Sequence, residues 1–370
     1  MKDINIAQAI TLHRKLKGIT QDQLANYIGV SKSSVSKWET GLSYPDITFL
    51  PQLATFFNIS IDVLMGYEPQ MSKEDISKLY VKLSKDFSEQ DFEVVLTDCH
   101  QIIKKYYSCY PLLLQMGGLL LNNSQLAPNQ KRFSEVVTEA KTLFSKVKTE
   151  SDDVELVRQA THLEAASLIT LGLPKEVIEL LEDSHSLVLS SEGLLATAYQ
   201  MVGQVEKAKE TIQIELYQYL TAFLRLLTSY QSLFFNDPEQ FKLISQRFLQ
   251  LSETFNLEEL KPDALVMFYL TSAQGNIING QIEEALNDLK EYARISTENK
   301  MLFHLHGDNF FTSIDNWFEQ LPLGINPPRD KTVIKQSMYD AIANNPAFTV
   351  LKDDIRFINI LEKLKNNIKG

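Results

Sequence analysis

Apolar side chains recur at three- and four-residue intervals along most of the chain, the spacing of helices that bury one face. In the first 67 residues five short helices can be read. The first runs from about Ile6 to Lys17, with Ile6, Ile10 and Leu16 facing inward, and ends at Gly18, since glycine often follows a helix. Thr20 caps a second helix over Gln21 to Ile28, and Gln23 completes a capping box. Leu24, Ala25 and Ile28 share one face of that helix, and Gly29 makes the next turn. Ser31 caps a third helix, Lys32 to Thr40, closed by Gly41; a fourth follows Asp46 and a fifth follows Ser60. The run Gly66 to Ser72 reads as a linker, with the inter-domain segment placed at residues 68–75.

The third helix is two-faced. Val35 and Trp38, three apart, point inward together, and Lys32, Ser33, Ser36 and Lys37 occupy the opposite side. Small Ala25 lets helices two and three cross closely, and the outward donors suit base edges and phosphates in a major groove. A small helical bundle with a solvated face accounts for the polar face, but not for the linked set of caps, Ala, Gly and apolar positions.

This stretch resembles the Cro/C1 (XRE) helix-turn-helix family, through Thr20-Gln21, Leu24-Ala25, Gly29-Val30-Ser31, Val35-Ser36, Trp38-Glu39, Gly41, Pro45, Leu53-Ala54 and Ile59-Ser60 with Leu64. The resemblance implies a five-helix lambda-repressor-like DNA-binding domain over residues 1–67. It implies a phosphate contact from Gln21, base or backbone contacts from Lys32, Ser33, Ser34 and Lys37, and a backbone contact from Thr40; Ser36 joins them from its place on the outward face. It also implies an internal Arg14–Glu39 ion pair, which favours a scaffold role for Arg14 over a DNA contact; Trp38 is read as core rather than base-stacking. The reading face carries Ser and Lys where some relatives use glutamine to read adenine, so the operator does not follow from it.

Beyond Ser72 a second pattern recurs: a turn residue, then an apolar residue two later, a small or apolar one five later and another apolar one nine later. Gly203, Val205, Ala208, Ile212 and Gly280, Ile282, Ala285, Leu289 carry it fully. Gly172, Pro174, Val177, Leu181 and Asn236, Pro238, Phe241, Ser245 carry weaker copies. A helical hairpin needs such a tight turn and a small residue where its helices cross. The region from about 156 to 295 therefore resembles the tetratricopeptide repeat, whose period is about 34 residues. The expected fold is all-α, with the DNA-binding domain followed by a tetratricopeptide-like α-helical solenoid over 76–321. Pro322 to Pro328 breaks the array, and terminal helices follow over 322–370, interrupted at Asn344-Asn345-Pro346.

With the turn residues as register, the first helices of the hairpins present Gln159, His162, Thr170, Thr197, Gln200, Phe223, Tyr230, Met267 and Gln274 to a concave side. Two readings stand: these side chains are solvated surface, or they line an uncharged groove whose amides, hydroxyls and aromatics suit an extended peptide. A helix-turn-helix domain joined to such an array resembles peptide-sensing regulators of Gram-positive bacteria. That resemblance implies a homodimer on a palindromic operator in double-stranded DNA, with a peptide or protein partner. A DNA-tethered interaction scaffold with no small ligand is the alternative.

The net charge of −11 changes the picture only once it is located. Residues 1–45 hold six basic and three acidic side chains, and the whole deficit lies after residue 70. A locally basic surface on an acidic body binds phosphate without adhering loosely to DNA. Fourteen glycines and twelve prolines in 370 residues, well under the roughly 12% of average usage, favour helices. Cys99 and Cys109 cannot complete a zinc site and are expected as reduced, buried thiols. The amino-terminal residues lack a signal-peptide core, and Pro111 to Leu121, interrupted by Gln115, falls short of the ~20 residues of a spanning helix. A cytoplasmic protein is expected, with no cofactor, no metal and no membrane partner.

His304, His306 and Asp308 form one cluster of metal-ligand types. Residues two apart converge only in a non-helical segment, and no fourth ligand is in sight, so partly buried polar residues among Phe303, Phe310 and Phe311 are expected instead. No Gly-rich phosphate loop, Gly-x-Ser-x-Gly elbow or base-paired cysteine is found, and no enzyme is expected.

Overall fold

The computed structural model describes residues 6–65, 70–182 and 191–369, and its regular elements among these are all helices. Its Cα packing separates two compact units, Met1–Ser72 with Asp98–Leu113, and Lys73–Thr97 with Leu114–Gly370.

The first unit opens with α1 (Ile6–Leu16), α2 (Gln21–Ile28), α3 (Lys32–Glu39), α4 (Leu50–Phe57) and α5 (Ile61–Met65). Gly18, Gly29 and Gly41 hold left-handed backbone at φ 66, 83 and 74°, a conformation in which only glycine is unstrained. Asp46 caps a 3-10 turn, Ile47–Phe49, that leads into α4, and the Ser60 hydroxyl accepts from the Val63 N–H at 3.2 Å to start α5. Ile6, Ile10, Leu24, Ala25, Ile28, Val35, Trp38, Leu53 and Leu64 form one buried core. Leu16 departs from expectation: it is 72% exposed, because α1 ends at that residue and the chain turns away through Gly18. Cys99 and Cys109 are buried and not joined in a disulfide, and the Gln70 amide donates to the Ser108 carbonyl at 3.2 Å.

Residues 66–69 of the expected linker lie outside the described residues. The next helix, α6 (Lys73–Glu89), starts within the span assigned to that linker, because Glu74 and Asp75 suit a helix's first turn. It is followed by α7 (Phe92–Lys105), α8 (Tyr110–Asn123), α9 (Gln130–Glu150), α10 (Val154–Thr170), α11 (Pro174–Leu181), α12 (Glu192–Met201) and α13 (Val205–Ser232). Then come α14 (Pro238–Thr254), α15 (Leu257–Leu260), α16 (Pro262–Ile278), α17 (Ile282–Glu298), α18 (Asp315–Gln320), α19 (Lys331–Ala343) and α20 (Ile355–Lys369).

The second unit is a run of hairpins. α9 packs on α10, α10 on α11, α12 on α13, α13 on α14 and α16 on α17. The turn residues are where the repeat pattern puts them. Gly172, Gly203 and Gly280 adopt φ 72, 78 and 71°, and Ala208 and Ala285 are buried five residues beyond the last two. At the degenerate copy Asp237 caps α14 by accepting from the Gln240 N–H. Gly275 of α16 leaves no room for a Cβ against the Phe241 ring of α14, which accounts for a glycine inside a helix. The core stacks Phe248 on Phe268 at 4.1 Å, gathers Leu289 and Tyr292 from α17, and is closed by Phe348, Leu351 and Phe357 near the end of the chain.

Candidate nucleic-acid interface

Glu39, at the end of α3, organises the DNA-reading unit. Its carboxylate receives two N–H groups of Arg14 from α1, with Nη2 to Oε2 at 3.0 Å, and the Gln21 amide from α2 at 2.7 Å. Arg14 donates a further bond to the Ile19 carbonyl at 2.7 Å. Burial pushes the Glu39 carboxyl up, but the hydrogen bonds from Arg14 and Gln21 outweigh it and hold it below its usual value. One carboxylate thus joins all three helices. The ion pair implied by the family resemblance is present; the third donor, Gln21, is new.

The local caps follow the sequence closely. The Thr20 hydroxyl accepts from the Gln23 N–H at 3.2 Å, and the Gln23 side chain accepts from the Thr20 N–H at 2.8 Å. The Ser31 hydroxyl accepts from the Ser34 N–H at 3.1 Å. Val35 and Trp38 turn inward, the indole 6.0 Å from the Phe49 ring.

The predicted contact residues fall into two groups. Lys32, Ser33, Lys37 and Thr40 are exposed; neither lysine forms an ion pair among the described residues. Ser34, Ser36 and Gln21 are half-buried. The Ser33 and Ser34 hydroxyls each lie 2.9 Å from the Ser31 hydroxyl, and the Thr40 hydroxyl donates back to the Ser36 carbonyl at 2.9 Å. The two lysine ammoniums are therefore exposed donors of this face without a partner among the described residues, with serines between them. Beside the end of α3, Leu42, Tyr44 and Ile47 are exposed at 79, 62 and 77%. Sequence reasoning gave them no role, because an apolar residue in a turn carries no periodic signal.

The groove candidates are dispersed. On α10 the Gln159 amide donates to Glu155 at 2.7 Å, His162 Nδ1 lies 2.8 Å from the Arg158 carbonyl, and Thr170 donates to Ala166 at 2.8 Å. Thr197 and Gln200 meet in a cleft of about 450 Å³ between α12 and α13, shared with Ala208 and Gln213. Phe223 and Tyr230 are exposed on α13, and Gln274 is half-buried on α16. Met267 lines a second, mainly apolar cavity of about 510 Å³, walled by α16, α17, α19 and the segments 301–305 and 325–329. The first segment overlaps His304 and the second overlaps the Pro322 to Pro328 break, neither of which signalled a cavity in the sequence.

His304, His306 and Asp308 lie in a non-helical stretch, and the Asp308 carboxylate accepts from the Phe310 and Phe311 N–H groups at 2.9 and 2.7 Å. His306 Nδ1 lies 2.7 Å from the Gly307 carbonyl. No helix among the described residues is long and apolar enough to cross a membrane.

Comparison with known proteins bears on the first unit. A family model described as helix-turn-helix matches residues 12–64. The HTH-type transcriptional activator BcrR of Enterococcus faecalis is 34% identical over 70 residues, 17% of this chain and 34% of BcrR, so the chain spans about a third of that relative. The cryptic phage CTXphi transcriptional repressor RstR of Vibrio cholerae is 32% identical over 82 residues, 22% of this chain and 70% of RstR. Among solved structures, the apo form of ComR from S. thermophilus aligns over 81% of this chain and 95% of its own, at 13% identity and a TM-score of 0.24, too loose a superposition to bear on fold or function. With the capped α2–turn–α3 unit, the Arg14–Glu39 pair and these matches together, the chain belongs to the Cro/C1 (XRE) type of helix-turn-helix transcriptional regulators.

Proposed function

We propose that the protein is a dimeric, sequence-specific DNA-binding regulator whose helical second unit senses a ligand. The observation that carries the reading is the outward face of α3, where the exposed ammoniums of Lys32 and Lys37 stand on a helix fixed by the Glu39 clamp. A rigid helix with donors on its outer side suits a major groove; Lys reaches phosphates or guanine, and serines tolerate the close approach of bases. Gln21, Ser34, Ser36 and Thr40 flank that face and take the supporting backbone contacts, with the Gln21 amide bonded at once to Glu39 and to phosphate through its second N–H. In the second unit, the amide and hydroxyl of Gln200 and Thr197 at one cleft suit a peptide backbone.

Dimerisation is supported by α13. Ile212, Leu216, Tyr219, Phe223, Leu226, Tyr230 and Leu233 are all exposed and follow one another at alternating steps of four and three. That is the seam of a two-helix coiled coil, without a partner helix among the described residues, and Ala222 and Ser229 beside it permit close approach of a second copy. A two-fold dimer reads a palindrome with half-sites a helical turn, or a multiple of it, apart.

The test is selection from random duplex DNA with the full-length protein near physiological salt. Enrichment of a two-fold symmetric site is expected. Enrichment of an asymmetric half-site alone removes the dimer from the reading, and the absence of any enriched site, with residues 1–72 assayed in parallel, removes specific DNA recognition.

A further inference from the structure

The cavity of about 510 Å³ in the second unit combines an apolar wall with an unpaired cation. Val266, Met267 and Leu270 of α16, Phe303, and Ile334 and Met338 of α19 supply most of the lining. Arg329 lines the same cavity. Its Nη1 donates to the Ser337 hydroxyl at 3.1 Å, and no carboxylate pairs with it among the described residues. Ser337 is itself fixed: it donates to the Val333 carbonyl at 2.9 Å and accepts from the Gln125 amide at 2.7 Å. The preceding residue, Pro328, is held through its carbonyl by the Tyr80 hydroxyl at 2.9 Å, which in turn accepts from Asn122. Arg329 is thus a positioned guanidinium with most of its five N–H groups uncommitted, in a chain of net charge −11. Partial burial pushes it below the ordinary arginine value, the direction expected of a cation without a counter-charge.

His304 apart, the other polar side chains of the wall already have partners. Lys261 pairs with Asp263 at 2.8 Å, the Tyr292 hydroxyl donates to the Met338 carbonyl at 2.9 Å, and the Asn326 amide donates to the Leu323 carbonyl at 3.1 Å. A buried peptide backbone needs many partners and finds few here, whereas an alkyl chain needs none. From this juxtaposition we infer that the cavity binds a small amphipathic carboxylate, with its unbranched apolar chain against Met267 and Leu270 and its carboxylate on the forked N–H groups of Arg329. Planar, bidentate pairing makes arginine the suited partner for a carboxylate. The inference deepens the ligand-sensing reading and rests on it for its regulatory consequence, not for binding itself.

Titration calorimetry of the full-length protein with decanoate, octanoate, decanol and decylammonium tests it. Decanoate is expected to bind about 16-fold more tightly than octanoate, at about fourfold per buried CH₂, and at least tenfold more tightly than decanol. Decylammonium is expected not to bind. Arg329→Gln, which retains a donor to Ser337, is expected to reduce decanoate affinity at least tenfold and to leave decanol unchanged. Should that variant misfold by circular dichroism, Met267→Trp serves instead, since Met267 is exposed and an indole there fills the apolar end; it is expected to abolish binding. Equal affinity for decanol and decanoate, or unchanged decanoate binding in a folded Arg329→Gln or Met267→Trp protein, overturns the inference. So does binding of tetraleucine in place of decanoate. The selected operator separates this from the sensing reading. Decanoate that binds without altering operator affinity removes the sensing role and leaves the site. An operator response to a peptide, with no decanoate binding, removes the site and leaves the sensing role.

Discussion

α3 and α13 both bury one face and leave the other to solvent, yet they leave out opposite chemistry. α3 exposes Lys32, Ser33 and Lys37 and buries Val35 and Trp38; α13 exposes Phe223, Leu226 and Tyr230 and buries Tyr217, Leu224 and Gln231. A basic, hydroxyl-bearing face is at rest in water and gains from a polyanion, whose condensed counterions it displaces. An apolar seam is costly in water and gains from another apolar face. On the proposed reading the first helix meets a charged groove and the second meets protein, and each feature of the comparison can be broken separately.

The largest effect is expected at the seam. Phe223→Glu with Leu226→Glu places two charges per copy where the proposed partner helix packs. Losing roughly 1.5–3 kcal/mol for each buried side chain predicts a rise of a thousandfold or more in the dimer dissociation constant. Both residues are exposed, at 52 and 65%, so the fold itself should be untouched. Sedimentation equilibrium checks this: a double variant as dimeric as the parent assigns the seam to something other than self-association.

Trp38→Ala comes next, and it breaks the other helix from beneath. The indole is 5% exposed and packs near Phe49, so its removal should cost about 3–5 kcal/mol and unfold the first unit. DNA binding should vanish while most of the helical circular dichroism, contributed by the second unit, persists. A single loss of all helicity would show the two units to melt as one.

Two partly buried carboxylates sharpen the contrast through pH. Glu39 is held below its usual value by Arg14 and Gln21 against the opposing effect of burial. Its stabilising share is present above the unfolded value and is lost as pH falls through the folded one. Asp288, on α17, is pushed up to about 6 by burial, in spite of hydrogen bonds from Ser272 and from the Asn276 amide at 2.8 Å. The sign therefore reverses. Between the unfolded value near 4 and the folded value near 6 the native state holds the extra proton, and stability declines as pH rises through that window. Asp288→Asn keeps both hydrogen-bond partners and removes the charge. It should stabilise the second unit at pH 7 by roughly 2 kcal/mol and flatten its melting temperature between pH 4 and 6. An unchanged slope in that window would place the titration elsewhere.

What the sequence disclosed divides along the same line. Short-range chemistry was legible: the capping box of Thr20 and Gln23, the Ser31 cap, and the left-handed glycines 18, 29, 41, 172, 203 and 280 all depend on neighbours within a few residues. The Gln21–Glu39 bond and the Arg329 cavity depend on segments far apart in the chain, and no periodicity announces them. α13 shows why. It is apolar on several sides, so its pattern did not say which stripe goes inside. The choice fell to Leu224, to Tyr217 against Phe311 and Phe318, and to Gln231, whose amide finds the Ser245 hydroxyl at 2.8 Å, while leucines and a phenylalanine stayed out.

The mildest break is at the reading face itself. Lys37 is exposed, forms no ion pair among the described residues and supports no core contact, so Lys37→Ala should leave the melting curve in place. An ammonium that holds phosphate should cost about tenfold in affinity, alike for the selected operator and for unrelated duplex, and should lower the salt slope by about one. An ammonium that reads a guanine should instead cost affinity for the operator alone and relax the preference at one base pair. Titrations of both duplexes at several salt concentrations separate these outcomes. Full affinity on both would take Lys37 off the reading surface and leave Lys32 with the serines to carry it, a face too weakly charged to sustain the contrast with α13.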